Sequence, residues 1–279
     1  MKTGLVLEGG AMRGMYTAGV LDVFVENGIN VDIIAGVSAG ALFGPNYLSK
    51  QVGRVIRYNK RFNQDKDYLG IRPLLKEGNI IAADYAFNKV PRELDPFDNE
   101  AFMESGVPFF AVCTDVDTGK AEYIEVKDVF KQMEVLRASG SMPMVSKPVR
   151  IGDKRYLDGA ISDNIPCDFV LSQGADKLIV ILTRDREYRK KPSNKALLKA
   201  YSLKYPVVAK NMSVRHIRYN DNVEYVRDLE KEGKAFVICP SEPIDISRTE
   251  KNPDKLQATY ELGRKDALNM LDDLRAFMA

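Results

Sequence analysis

The stretch VDIIAGVSAGALF, residues 31–43, constrains the fold more than any other part of the chain. A β-branched run ends in Gly36-Val37-Ser38-Ala39-Gly40, and the next strand-like pattern lies far downstream. A serine delivered between two glycines describes a sharp strand-to-helix turn, in which missing Cβ atoms let the backbone double back and leave the hydroxyl clear of it. Taken alone the pattern proves little. At ordinary glycine and serine frequencies, a chain this long shows G-x-S-x-G by accident roughly one time in ten. Its surroundings must decide what it means.

Those surroundings read as a layered fold. Residues 3–7 are a short apolar run bounded by glycine, which predicts a buried strand. The loop EGGAMRG follows, then Ala18, Leu21 and Val25 at helical spacing, closed by Asn27-Gly28. Strand, glycine loop, helix and strand make a βαβ unit, so the expectation is an α/β/α fold around a mostly parallel central sheet. Residues 44–106 are harder to read, with helical segments such as 52–62 between Pro and Gly breaks. PFFAVCTDVDTGKAEYIEV predicts a hairpin turning near Asp117-Thr118-Gly119, and PVRIGDKRYLDGA a second one around Gly152-Asp153. Val129, Met133 and Leu136 mark a helix. In SDNIPCDFVLSQGADKLIVILT, Asn164 suits a helix cap, Pro166 the first turn and Gly174 the end, before a buried strand. The last third is mostly helical, with one strand at 235–239. We expect residues 1–183 to form the catalytic part and residues 184–279 a helical extension packed on the same domain.

Bulk properties exclude several classes. The chain has 279 residues, 45% apolar and 29% charged, as in soluble globular proteins. A net charge of +2 points to neither a nucleic acid nor an acidic partner. Cys113, Cys167 and Cys239 stand far apart without a C-x-x-C, so the expectation is reduced thiols and no metal site. The first residues are too short in apolar run for a signal peptide, and no run approaches a membrane span; the expected compartment is the cytoplasm.

Three glycine-marked loops follow predicted strands: residues 9–14, residues 36–40 and Asp158-Gly159-Ala160. In open α/β sheets reactive groups gather beyond the carboxyl ends of strands. As an acyl-transfer site, Ser38 would attack a carbonyl carbon and would need a base. The developing oxyanion would need preorganised N–H donors, which the small residues of the first loop suit. Two bases are open. The order Ser38, Asp158, His216 permits a triad. However, His216 lies in KNMSVRHIRYND, a charged helical pattern, whereas Asp158 ends a strand, where partial desolvation would raise its proton affinity. Two other classes compete. A nucleotide-binding module would need glycine at Ala11 and an acidic residue at the end of the second strand, where Ser38 stands. A catalytically silent scaffold would not need both Ser38 and Asp158.

Taken together, LVLEGGAMRG, GVSAG, ASGSMP and DGAISDNIP resemble the patatin-like phospholipase family, in its bacterial branch, over about residues 3–182. The resemblance implies hydrolysis of lipid or phospholipid acyl esters by a Ser–Asp dyad, with no metal or cofactor. It implies Ser38 as nucleophile, Asp158 as base, the backbone at Gly9, Gly10 and Ala11 as oxyanion hole, and Arg13 as the basic position of that loop. Ala11 stands where a third glycine is common. Alanine does not readily adopt φ > 0, which leaves the donor set open.

One charge feature is independent of the motifs. Residues 184–218 hold eleven Lys and Arg against two acids, a surplus of nine in a chain whose total is +2. Each basic residue near an anionic bilayer contributes about 1 kcal/mol. The expectation is peripheral contact with the inner membrane surface through this segment.

Overall fold

The computed structural model describes residues 1–279. The chain begins β1 (Thr3–Leu7), α1 (Gly14–Glu26), β2 (Ile33–Val37), α2 (Ala39–Leu48), α3 (Arg54–Phe62) and α4 (Ile71–Glu77). A π-helical segment, Tyr85–Leu94, leads to α5 (Asn99–Glu104) and the hairpin β3 (Phe109–Asp115) and β4 (Ala121–Glu125). Next come α6 (Met133–Ser139), the hairpin β5 (Val149–Ile151) and β6 (Lys154–Asp158), α7 (Cys167–Ser172) and β7 (Lys177–Ile181). The chain closes with α8 (Lys195–Ser202), α9 (Pro206–Lys231), β8 (Ala235–Ile238), α10 (Pro253–Asn269) and α11 (Leu271–Met278). Both expected hairpins are present, turning at Gly119 and Gly152 with φ of +70° and +59°.

Five strands run parallel in the order β3-β2-β1-β7-β8, and β4, β5 and β6 add antiparallel pairs. Period-2 alternation of buried residues sorts the helices into two layers. Leu5, Leu7, Ile34, Ile179 and Ile181 face one core with α1, α2, α6, α10 and α11. Val6, Ile33, Ala35, Leu178 and Val180 face the other with α7 and α9. One expectation is corrected. Pro166, not Asn164, caps α7, and no side chain bonds its first turn. The Asn164 side chain is engaged elsewhere, accepting from Arg215 at 3.3 Å.

The register of β3 decides where two strand ends meet. Along one edge, Phe109 to Val112 pair with Ile34 to Val37 of β2. On the opposite edge lies β4, which pairs with Phe110 to Thr114. Cys113 to Asp115 pair with Asp158 to Tyr156 of β6, which must therefore share β2's edge. Strands β2 and β6 run towards each other along β3 and end opposite adjacent residues, Val112 and Cys113. The residue after β2 is Ser38, and the last residue of β6 is Asp158.

The C-terminal segment is bound into this frame. Strand β8 extends the sheet beside β7. Helix α10 crosses α1 so closely that a Cβ at Gly19 would fall on the Tyr260 carbonyl oxygen, and one at Gly263 on that of Tyr16. The same two tyrosines clasp the helices reciprocally: Tyr16 donates to Asp266 at 3.1 Å and Tyr260 to Asp22 at 2.6 Å. Gly263→Ala should therefore force the helices apart at a cost of about 2 kcal/mol. Thermal unfolding should show a midpoint lowered by roughly 5 °C; an unchanged midpoint would mean that the crossing can relax.

Candidate active site

The elbow is built by close approach. A Cβ at Gly40 would lie 2.5 Å from the Leu7 carbonyl oxygen, and one at Gly36 would lie 2.7 Å from the Ala41 nitrogen, so both sites exclude side chains. Between them Ser38 has φ +54° and ψ −116°, a strained conformation that turns β2 directly into α2. Ser139, at the end of α6, fixes this turn: its Oγ accepts from the Ser38 N–H at 2.9 Å and donates to the Val112 carbonyl at 2.7 Å. The same hydroxyl thus bolts the elbow to the strand that sets the register.

Ser38 Oγ donates to Asp158 Oδ2 at 2.7 Å, and Asp158 Oδ1 accepts from the Ala160 N–H at 2.9 Å. Asp158 is 5% exposed and Ser38 only 7%, so the serine is less open than the elbow pattern alone suggests. Burial raises the Asp158 pKa above the ordinary carboxylate range, against the opposing pull of Arg215 and of its hydrogen bonds. A buried carboxylate with raised proton affinity, in contact with a serine hydroxyl, is equipped to take that proton.

Gly9, Gly10 and Ala11 lie beside the serine. A Cβ at Gly9 would be 2.9 Å from Ser38 Cβ, so only glycine lets the loop come this near. The backbone N–H groups of Gly9, Gly10 and Ala11 donate to no acceptor in the protein. Ala11 has φ +50°, contrary to what alanine ordinarily adopts, so the loop keeps the geometry a glycine would give it at a cost in strain. Glu8, buried just before the loop, anchors it by accepting from the Thr183 N–H at 2.6 Å and from its hydroxyl at 3.1 Å. Arg13 follows on the same turn, with its Nε buried and unpartnered.

His216 does not join this group. It sits within α9, and its Nδ1 is buried without a hydrogen-bond partner. Its neighbour Arg215 is the residue turned to the Asp158 loop, donating to the Ala160 carbonyl at 2.5 Å. Consecutive helical residues point about 100° apart, so a helix that aims Arg215 at this loop turns His216 away. Sequence reasoning counted Arg215 only within the basic stretch 184–218 and gave no role to Ser139, although its segment ASGSMP stood out.

A pocket of about 40 Å³ opens on Ser38, walled by Ala11, Leu42, Phe43, Leu69, Ile81 and Met142. Met12, Leu42, Phe43 and Ile81 also line a neighbouring apolar cavity of about 100 Å³ that extends to Tyr58, Phe97 and Leu136. Tyr58, Leu69, Ile81 and Phe97 come from the stretch 44–106, where the sequence offered little pattern, and the other walls come from the first loop, the elbow helix, α6 and the turn after it.

The chain matches a family model described as patatin-like phospholipase over residues 5–171, more than half its length. Residues 205–279 match a domain of unknown function, DUF6363. The uncharacterized protein YjjU of Escherichia coli is 28% identical over 93% of this chain and 74% of its own length. Neuropathy target esterase sws of Drosophila melanogaster is 28% identical over 64% of this chain, which spans only 12% of that larger protein. The crystal structure of VipD from Legionella pneumophila aligns with 98% of this chain and 67% of its own, at 16% identity and a TM-score of 0.48.

The geometry yields a pH-linked expectation. A folded-state carboxyl pKa above the unfolded one means that ionised Asp158 weakens the fold once pH rises past that raised value. Asp158→Asn removes the buried charge, so at pH 7 the variant should unfold no lower than the parent while ester turnover collapses. Calorimetry and a turnover assay on one preparation check both; a variant that lost activity only by unfolding would contradict the assignment.

Proposed function

The chain belongs to the patatin-like phospholipase family, and from that premise we propose that it hydrolyses lipid acyl esters through Ser38 and Asp158, without a triad histidine. It is an ester-bond hydrolase by family. The observation that carries the finer reading is the 2.7 Å bond from Ser38 Oγ to Asp158 Oδ2, beside three unpartnered backbone N–H groups.

In this mechanism Ser38 Oγ bonds to the acyl carbonyl carbon as its proton passes to Asp158 Oδ2. The carbonyl oxygen becomes an oxyanion and is met by N–H groups of Gly9, Gly10 and Ala11, preorganised in a site with little water. The tetrahedral intermediate collapses, the C–O bond to the alcohol breaks, and Asp158 returns the proton to the departing oxygen. Water then attacks the acyl-serine, giving its proton to Asp158, and the fatty acid leaves as Ser38 recovers its hydroxyl. The apolar cavity past Leu42 and Phe43 takes the acyl chain.

Access to packed lipid is the second part of the proposal. No helix is long and apolar enough to cross a membrane. Helix α4 hangs between Leu69 and Ile81, both pocket residues, and exposes Ile71 (72%) and Leu75 (82%). Helix α8 packs through Leu198 in one cluster with Leu157 and Ile161, on either side of Asp158, and exposes Leu197 and Leu203 among Lys195, Lys199 and Lys204. The basic stretch is therefore narrower as a docking face than its count of charges. Arg186 pairs with Glu230 at 2.6 Å and Arg189 with Glu224 at 2.9 Å, while Arg215 and Arg218 bond carbonyls of the Asp158 loop. In this reading the enzyme works in the cytoplasm and meets the inner membrane surface through α4 and α8.

Three tests bear on this reading. A fluorophosphonate should label the parent and not Ser38→Ala, whose turnover should fall by something on the order of a million-fold; His216→Gln should keep turnover within a factor of a few. A drop for His216→Gln as deep as that for Asp158→Asn would make the site a triad. Leu42→Trp, at the junction of pocket and cavity, should shift preference towards shorter acyl chains, measured with esters of graded length; an unchanged profile would place the chain elsewhere. Vesicle sedimentation should show binding that rises with anionic lipid and fades with salt. That binding should weaken when Lys191, Lys195, Lys199 and Lys204 become glutamate, and binding indifferent to that reversal would remove α8 from the docking face.

A further inference from the structure

Five cations from four separate parts of the chain lie within one another's field, and two of them reach the site itself, Arg215 at the Asp158 loop and Arg248 in the Ser38 pocket. Arg13 comes from the turn after the oxyanion loop, Arg184 and Lys190 from the segment after β7, Arg215 from α9 and Arg248 from the loop before α10. None of them forms a salt bridge, although fifteen ion pairs occur in the molecule. Arg13 Nε is buried without a partner. Lys190 Nζ lies 4.2 Å from the Tyr219 ring centre and Arg184 Cζ 4.2 Å from that of Tyr188, contacts with aromatic faces in place of carboxylates. Arg215 donates to a carbonyl and an amide oxygen only. Arg248 makes no side-chain hydrogen bond, is exposed, and lines the same small pocket as Ser38. The acids that act on Arg13, Lys190 and Arg215 are Glu8, already bonded to Thr183, and Asp158, bonded to Ser38.

Such an excess of positive charge, four of the five cations part-buried, is costly to hold together unless an anion joins them. The strain registers on Lys190: burial, then Arg215 and other cations nearby, lower its pKa to about 7. We propose that Arg13, Lys190, Arg215 and Arg248 form an anion subsite that holds the phosphate of the acyl-ester substrate while Ser38 attacks, with Arg184 adding to its field. The inference rests on the hydrolase reading and adds a substrate class to it: acyl esters with a net negative phosphate head, a terminal phosphomonoester above all. A choline-type head would bring a further cation towards charges that are already unbalanced, and a neutral acylglycerol would leave them so.

The test uses the full chain and three substrates with one common acyl chain: a monoacylglycerol, its phosphomonoester and its phosphocholine ester, all below their micellar concentrations. The parent should turn over the phosphomonoester with the highest kcat/KM. Charged hydrogen bonds of about 1.5–3 kcal/mol correspond to a preference of roughly ten- to a hundredfold over the neutral ester. Inorganic phosphate should inhibit hydrolysis of the neutral ester competitively. In Arg248→Glu, an exposed change that folding should tolerate, and in Lys190→Met, the ratio of the two kcat/KM values should fall about tenfold, with KM carrying most of the change. Equal kcat/KM values for the phosphomonoester and the neutral ester in the parent would overturn the proposal, and would do so even if free phosphate inhibits, since that would mark an anion site unconnected with the substrate head. Hydrolysis of none of the three esters by the parent would count against the hydrolase reading itself, separately from any head-group preference.

Discussion

The active-site geometry depends on one strand edge. Strand β3 accepts β2 in parallel and β6 in antiparallel pairing on the same side, and the two meet at Val112 and Cys113. Backbone hydrogen bonds, not side-chain packing, therefore set the distance between the serine and the aspartate. Side chains then secure the junction. Ser139 joins the elbow nitrogen to the Val112 carbonyl, and the Thr114 hydroxyl donates to the Asp158 carbonyl at 2.8 Å. In the proposed roles of nucleophile and base, Ser38 and Asp158 need no flexible loop to bring them together, which is the preorganisation that electrostatic catalysis rewards.

Burial around this junction does two things at once. It desolvates Asp158 enough to raise its proton affinity, and it puts Arg215 beside the same loop, so the rise is held in check. Without Arg215 the carboxyl would hold its proton more tightly and act less readily as a base near neutral pH. The helix that supplies Arg215 belongs to the C-terminal segment, so the chemistry at Asp158 is tuned by a part of the chain remote from the three glycine motifs.

How far the sequence could be read depends on where information is local. The βαβ opening, both hairpins and the buried β7 are written in short-range patterns of branched residues, glycine and polar turns, and they occur where those patterns predict. So do the three loops that hold Ser38, Asp158 and the Gly9-Gly10-Ala11 run, since each is a glycine-bounded strand end. The same local logic favoured Asp158 over His216 by the company each keeps. It could not see that α9 turns Arg215 inward and His216 away, because that depends on the rotation of a helix packed on distant partners. Nor could it see the apolar cavity, which is assembled from Met12, α2, α3, the π-helical segment and α6 without a shared pattern. The charge surplus of residues 184–218 was legible as a number, but its division into ion pairs, inward cations and exposed lysines is a tertiary fact. Ala11 is the case where a local rule fails: the loop imposes φ +50° on a residue that does not favour it, and the misfit falls at the site itself.

The crossing of α1 and α10 has a consequence in time. Tyr16 and Asp266 are 250 residues apart in the chain, and Asp22 and Tyr260 are 238 apart. Helix α1 follows the Gly9-Gly10-Ala11 loop, yet the residues that clasp it are synthesised 238 to 250 residues later. At ordinary synthesis rates the interval is roughly 10 to 50 seconds. Throughout it the elbow, the loop and even β6 can exist in the nascent chain while the helix behind the loop has one flank bare. The helix behind the loop is thus packed only after α10 has been made, and the order of translation delays completion of the site.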